Sequence, residues 1–215
     1  MSFEELGECE LGTQEYWDKL YKTEISNFRN HKDVGEVWFG EDIADRIVRW
    51  MNKNVPKESV IVDLGCGNGM LLVDLFNGGF KNLNGIDYSE DAVVLAKEVS
   101  DHCGTSTEYF VKDILKDNLG EEHYDVVLDK GTYDAISLTS DARHSRETYI
   151  DNVHKCLKDD GLLVITSCNW TKDELCTQFE DKFKIFDVIP TPQFKFGGKI
   201  GSVVSSVVFK KNIIL

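Results

Sequence analysis

Three stretches of the chain are apolar almost without interruption. Val60-Ile61-Val62 leads into Asp63-Leu64, Val126-Val127-Leu128 into Asp129, and Leu162-Leu163-Val164-Ile165 into Thr166-Ser167. Runs of this kind predict strands covered on both faces, as in a parallel sheet between two layers of helix. Weaker strands are predicted over residues 82–86 and 108–111. Between the strands the apolar period becomes helical. Tyr16, Trp17, Leu20, Tyr21 and Ile25 share one face of a helix over residues 14–25, with Thr13 as its N-cap. Ile43, Ile47, Val48, Trp50 and Met51 do the same over 41–52. Further helices are predicted over 70–77, closed by Gly78-Gly79, over 90–102, capped by Ser89, over 146–157, and from Thr171 to about residue 179. Residues 27–40 read as irregular. Two last strands, 183–189 and 202–209, flank a connection rich in Pro and Gly and suggest an antiparallel hairpin at the sheet edge. Five strand–helix units followed by two strands give an α/β, Rossmann-like, mostly parallel sheet with helices on both faces.

Composition narrows the class. A chain of 215 residues suits one domain, and 41% hydrophobic with 29% charged residues is the balance of a globular protein. No apolar run approaches the ~20 residues that span a bilayer. The first ten residues are acidic and lack the features of a signal peptide, so a cytoplasmic location is expected. Six scattered cysteines, with no Cys-x-x-Cys pair, indicate neither a zinc site nor a disulfide framework, and no metal is expected. A net charge of −14 argues against a nucleic-acid partner and allows a basic protein one.

The chemistry concentrates where the first strand ends. Asp63-Leu64-Gly65-Cys66-Gly67-Asn68-Gly69 is strand, glycine turn, helix. The spacing is neither the dinucleotide G-x-G-x-x-G nor a phosphate-binding P-loop, which disfavours a nicotinamide enzyme. Asp63 before the turn would repel a pyrophosphate and suits a cationic ligand. Asp87 ends the second strand about 20 residues on, the place for a carboxylate that accepts both hydroxyls of a ribose. Trp38, in a loop between Gly35 and Gly40, is a candidate ligand contact.

The stretch Asp63 to Gly69 resembles the first motif of class I S-adenosylmethionine-dependent methyltransferases. Leu11 to Trp17, Gly35 to Gly40, Asp129 to Ile136, Thr166 to Thr171 and Pro190 to Gly198 together are similar to the protein-lysine methyltransferases of eukaryotic elongation factor 1-alpha. That resemblance implies a seven-stranded fold, S-adenosylmethionine as methyl donor, S-adenosylhomocysteine as product, and a lysine of that basic cytosolic factor as acceptor. It implies that Gly65, Cys66, Gly67, Asn68 and Gly69 cradle the methionine portion, with Asp63 near its ammonium. Asp87 and Tyr88 would hold the ribose, Asp113 the adenine amine and Ile114 the ring. Asp129, Asn169 and Trp170 would line the amine channel as the catalytic group, Asp129 also facing the cofactor. Three segments are expected: a mobile acidic terminus (1–12), a helical cap (13–57) and the methyltransferase core (58–215). A small-molecule N- or O-methyltransferase, or a silent binding module of the same fold, would share the cofactor half.

Overall fold

In the computed structural model, which describes residues 5–121, 123–196 and 199–212, the chain runs α1 (Gln14–His31), α2 (Glu41–Asn54), β1 (Val60–Leu64), α3 (Met70–Asn77), β2 (Asn82–Asp87), α4 (Glu90–Cys103), β3 (Glu108–Val111), β4 (Tyr124–Lys130), α5 (Thr132–Ile136), α6 (Ala142–Cys156), β5 (Leu157–Ser167), α7 (Lys172–Phe179), β6 (Phe183–Val188), β7 (Gln193–Phe196), β8 (Lys199–Ser202) and β9 (Ser205–Lys211). Seven strands form one sheet in the order β3-β2-β1-β4-β5-β9-β6. The first five are parallel, and β9 runs antiparallel to both β5 and β6. The apolar runs divide residue by residue between two cores. Ile61, Val126, Leu128 and Val164 meet α2, α3 and α4 on one face, whereas Val62, Val127, Leu163 and Ile165 meet α6 and α7 on the other. That two-sided burial is why these strands carry no alternation. Chain order reverses at β1, with β2 on one side and β4 on the other. Such a switch point leaves a crevice outside the strands' carboxyl ends.

Several boundaries differ from the sequence pattern for local reasons. Helix α1 continues to His31 because Phe28, one turn beyond Ile25, is also buried, and Lys32 closes it in the left-handed region at φ 60°. Strand β5 begins at Leu157, which pairs with Tyr124 before Gly161 is reached. The short helix α5 has no counterpart in the apolar pattern. Strand β9 is interior rather than at the edge, in keeping with its buried run Ser206 to Phe209, and β6 takes the edge. The connection between them holds a separate hairpin, β7 with β8.

The segments also sort differently. Ile43, Ile47 and Met51 of α2 pack into the same core as α3, so α2 belongs to the sheet's own helix layer. Only α1, packed on α4, and the loop after it form a cap. Residues 1–4 of the acidic terminus, Gly197, Gly198 and residues 213–215 lie outside the described residues. Residues 5–12, expected to be mobile, are tied down. Glu5 pairs with the buried Arg146 at 2.7 Å, Cys9 N–H donates to Leu138 O at 3.2 Å, and the Trp17 indole N–H donates to Leu11 O at 2.7 Å. Among the described residues no helix is long and apolar enough to cross a membrane.

Candidate active site

The turn after β1 depends on its glycines for conformation and for closeness. Gly65, Gly67 and Gly69 have φ of 65°, 55° and 75°, where a side chain is strained. A Cβ on Gly65 would overlap the Thr132 hydroxyl oxygen, which itself donates to Leu64 O at 2.6 Å. Four of the turn's five N–H groups are already used. Gly65 and Cys66 both donate to Ile86 O, Gly67 donates to the Asp87 carboxylate at 3.1 Å, and Gly69 donates to Cys66 O. The glycines therefore admit a ligand closely without offering it these donors. Gly65→Ala is expected to cost about 2–5 kcal/mol, the sum of left-handed strain and overpacking. Gly104→Ala, at φ 67° with open space around its Cβ, should cost only about 1–2 kcal/mol. Urea unfolding with an unchanged slope separates the two.

An open cavity with an empty volume of about 1220 Å³, its mouth included, lies between this turn, the ends of β2, β4 and β5, and the cap. On the cap side Trp17 and Trp38 face it with ring centroids 5.2 Å apart. Gly65, Cys66, Gly67 and Asn68 form its floor. Asn68 also straps the cap loop down, its amide donating to Val34 O at 2.9 Å and Glu36 O at 3.3 Å. Asp87, Tyr88 and Ile114 line one end, and Asn169 the other. Asp87 accepts the N–H groups of Gly67 and Ser89, the latter at 2.9 Å, and burial pushes its carboxyl up to about 6 against those bonds.

Five expected site residues do not line the cavity. Asp63 sits beneath the turn, its carboxyl raised to about 7 by burial, with Lys130 opposing and Asp87 adding to the rise. Gly69 faces Tyr109 and Ala96 as the N-cap of α3. Asp113 turns into its own loop, accepting Leu115 N–H at 2.9 Å and pairing with Lys116 at 2.7 Å. Asp129, expected in the amine channel, is instead an internal cap. Its buried carboxylate accepts Tyr149 O–H at 2.5 Å, Thr132 N–H at 2.9 Å and Tyr133 N–H at 3.0 Å, which holds the start of α5. Burial raises it to about 7. Trp170 is also a packing residue, its indole N–H donating to Ser137 Oγ at 3.0 Å beneath the Arg146 guanidinium.

A carboxylate that does line the cavity here is that of Asp134, to which the sequence pattern assigns no role beyond the exit of β4. It lines the cavity near the end of β5, accepting the Ser167 hydroxyl and the Cys168 N–H, the latter at 2.8 Å. Burial raises its carboxyl, and those two bonds oppose the rise. Lys130 and Thr132 line the cavity as well. The only signal for Asp134 lies in its spacing: one helical turn beyond Gly131 brings residue 134 back over the strand end. A cationic, ribose-bearing ligand suits this donor set. It would meet carboxylates at both ends, a glycine floor without bulk, and apolar walls at Ile114 and the tryptophans.

A family described as a methyltransferase domain matches residues 56–204. The human protein EEF1A lysine methyltransferase 2 is 42% identical over 94% of this chain and 86% of its own length. Protein-lysine N-methyltransferase efm4 of Schizosaccharomyces pombe is 40% identical over 95% of each, and EFM4 of Saccharomyces cerevisiae 38% identical over 96% and 97%. Among solved structures, the N-methyltransferase NodS of Bradyrhizobium japonicum in complex with S-adenosylhomocysteine covers 91% of this chain and 98% of its own, at 16% identity and a TM-score of 0.67. At that identity the likeness concerns the fold.

Proposed function

This chain belongs to the methyltransferase-domain family, among the protein-lysine N-methyltransferases of elongation factor 1-alpha, and from that membership we propose that it methylates a lysine of that factor using S-adenosylmethionine. When bound, the cofactor supplies an electrophilic methyl group carried on a sulfonium. Asp87 accepts the ribose hydroxyls, Ile114 packs against the adenine, and the glycine floor lets the methionine arm lie against the backbone. The observation that carries the acceptor side is that Asp134 and Asn169 both line the cavity where β5 ends, with Asp134 held there by the Ser167 hydroxyl and the Cys168 N–H. Asp134 receives the lysine ammonium and Asn169 orients it.

The amine must lose a proton before it can attack. At a reference pKa of about 10.4 that costs roughly 4 kcal/mol near neutrality. The proton leaves to solvent; desolvation in the cavity lowers the cost while the Asp134 carboxylate, by favouring the ammonium, opposes it, and alignment of the two reactants can supply about 7–11 kcal/mol. No dedicated strong base is required. The chain's charge of −14 supports a basic protein as the partner, and the cytoplasm as the place of reaction follows from that acceptor. Purified protein incubated with methyl-labelled S-adenosylmethionine and cell lysate is expected to label one band at the mass of elongation factor 1-alpha, with the label on a lysine side chain. Label confined to small molecules, or to other proteins, would overturn this reading.

A further inference from the structure

Four carboxylates line the cavity, those of Glu24, Glu36, Asp87 and Asp134, against two lysine ammoniums, Lys112 and Lys130. A ligand that carries its own carboxylate is repelled throughout such a cavity except beside one of the two cations. The glycine turn offers little relief, because the N–H groups of Gly65, Cys66, Gly67 and Gly69 are bonded internally. Beyond the Asn68 N–H, the groups suited by charge to meet the ligand's carboxylate are the two lysines.

The two lysines stand at different ends. Lys112 comes just after β3, close to Ile114 on the side of the cavity assigned to the base, and its ammonium donates to Asn118 O at 3.1 Å. Lys130 ends β4, beside the turn. Its half-buried ammonium donates to Trp38 O at 3.2 Å and lies 5.9 Å from the centre of the Phe39 ring. Among the described residues it makes no other hydrogen bond and no ion pair. An ammonium has three donors, so two remain for a ligand. Burial lowers its pKa, while the nearby Asp63 and Asp129 favour the charged form. Asp87 ends β2 and Lys130 ends β4, with β1 between them. Two strand spacings are roughly 10 Å, a span comparable with the reach from ribose hydroxyls to the far end of a methionine arm.

We propose that Lys130 binds the carboxylate of the cofactor's methionine arm, making it the binding residue that distinguishes an amino-acid-bearing adenosyl sulfonium from one without the carboxylate. This rests on the cofactor assigned above. The alternative role is mechanical, a latch that holds the cap loop through Trp38 O.

Calorimetric titration separates the two. S-adenosylmethionine and decarboxylated S-adenosylmethionine are each titrated into the wild type, Lys130→Met and Lys130→Arg, with thermal unfolding to confirm that the variants fold. In Lys130→Met the ratio of the two affinities is expected to shift against S-adenosylmethionine by about tenfold or more, the effect of one charge-assisted hydrogen bond. The decarboxylated compound should be weakened much less, since only the Trp38 O contact, which serves both compounds alike, is lost with it. Lys130→Arg should restore part of the ratio. Equal weakening of both compounds by Lys130→Met would overturn the proposal and leave the latch. A wild type that binds neither compound would overturn the cofactor assignment itself.

Discussion

Replacing Asp87 by alanine is expected to weaken binding of S-adenosylmethionine by about 100-fold or more. Two hydrogen bonds to an ionised carboxylate are lost, each worth about 1.5–3 kcal/mol when one partner is charged. A second loss comes from the same carboxylate, because it also accepts the N–H of Gly67 and so pins the turn to β2. Asp87→Asn, which keeps an acceptor oxygen, should fall between the two. The wild type should show its own pH dependence. Burial places this carboxyl at about 6, above the usual carboxylate range. A raised carboxyl stabilises the free protein below its unfolded value, and that contribution is lost as pH rises through about 6. Ligand binding has the opposite sign: the ionised form is the double acceptor, so affinity falls as pH drops through about 6. At pH 5 it should be about tenfold weaker than at pH 7.5, the cost of ionising a group one unit below its pKa. Titration calorimetry at pH 5, 6 and 7.5 measures this, and the slope should vanish in Asp87→Asn. A wild-type affinity independent of pH together with a tight-binding Asp87→Ala would remove Asp87 from the site.

The cofactor half of this cavity is readable in the chain because its chemistry is tied to strand ends. Continuous apolar runs mark strands buried on both sides, and the polar residue that stops each run marks the carboxyl end where a ligand sits. Gly65, Cys66, Gly67, Asn68 and Asp87 are placed by that logic, Tyr88 and Ile114 by the family resemblance, and these seven line the cavity, whereas Asp63, Gly69 and Asp113 of the same half do not. The acceptor half is not readable in the same way. Asp129 stops the run in β4 just as Asp87 stops β2, so in the sequence both carboxylates look equivalent. The next few residues of the chain separate them. After Asp87 the chain continues through Ser89 into α4 with its own cap, leaving the carboxylate partly free for a ligand. After Asp129 a five-residue helix begins at once, with no side-chain cap from Gly131, and the Asp129 carboxylate is consumed in capping it. Tyr149, which completes that set from α6, is twenty residues away and gives no local signal. The docking of residues 5–12 is hidden for a similar reason. It depends on Arg146, a charged residue in the middle of an amphipathic pattern, which is buried over Trp170 and pairs with Glu5.

The distinction between Asp129 and Asp134 yields the sharpest expectation for catalysis. Asp134→Asn removes the charge proposed to face the lysine ammonium but keeps an oxygen for the Cys168 N–H, so the fold should survive. Turnover is expected to fall by about 30- to 100-fold, the value of one charged hydrogen bond felt by the reacting amine, with cofactor affinity changed less than about twofold. Asp129→Ala should behave in the reverse manner. It strands the Tyr149 hydroxyl and the N–H groups of Thr132 and Tyr133 in a buried region. Each of the three buried unpaired donors costs about 1–3 kcal/mol, so a loss of about 3–9 kcal/mol is expected, enough to lower the urea midpoint severely. Under conditions where the variant remains folded, its chemical step should be less affected than that of Asp134→Asn, since Asp129 does not line the cavity. Single-turnover methyl transfer, measured alongside urea unfolding for both variants, reads the two effects separately. If Asp134→Asn transferred methyl at the wild-type rate while a folded Asp129 variant did not, the amine would have to be placed at the end of β4 itself. The short helix α5 would then be a part that moves when the acceptor binds.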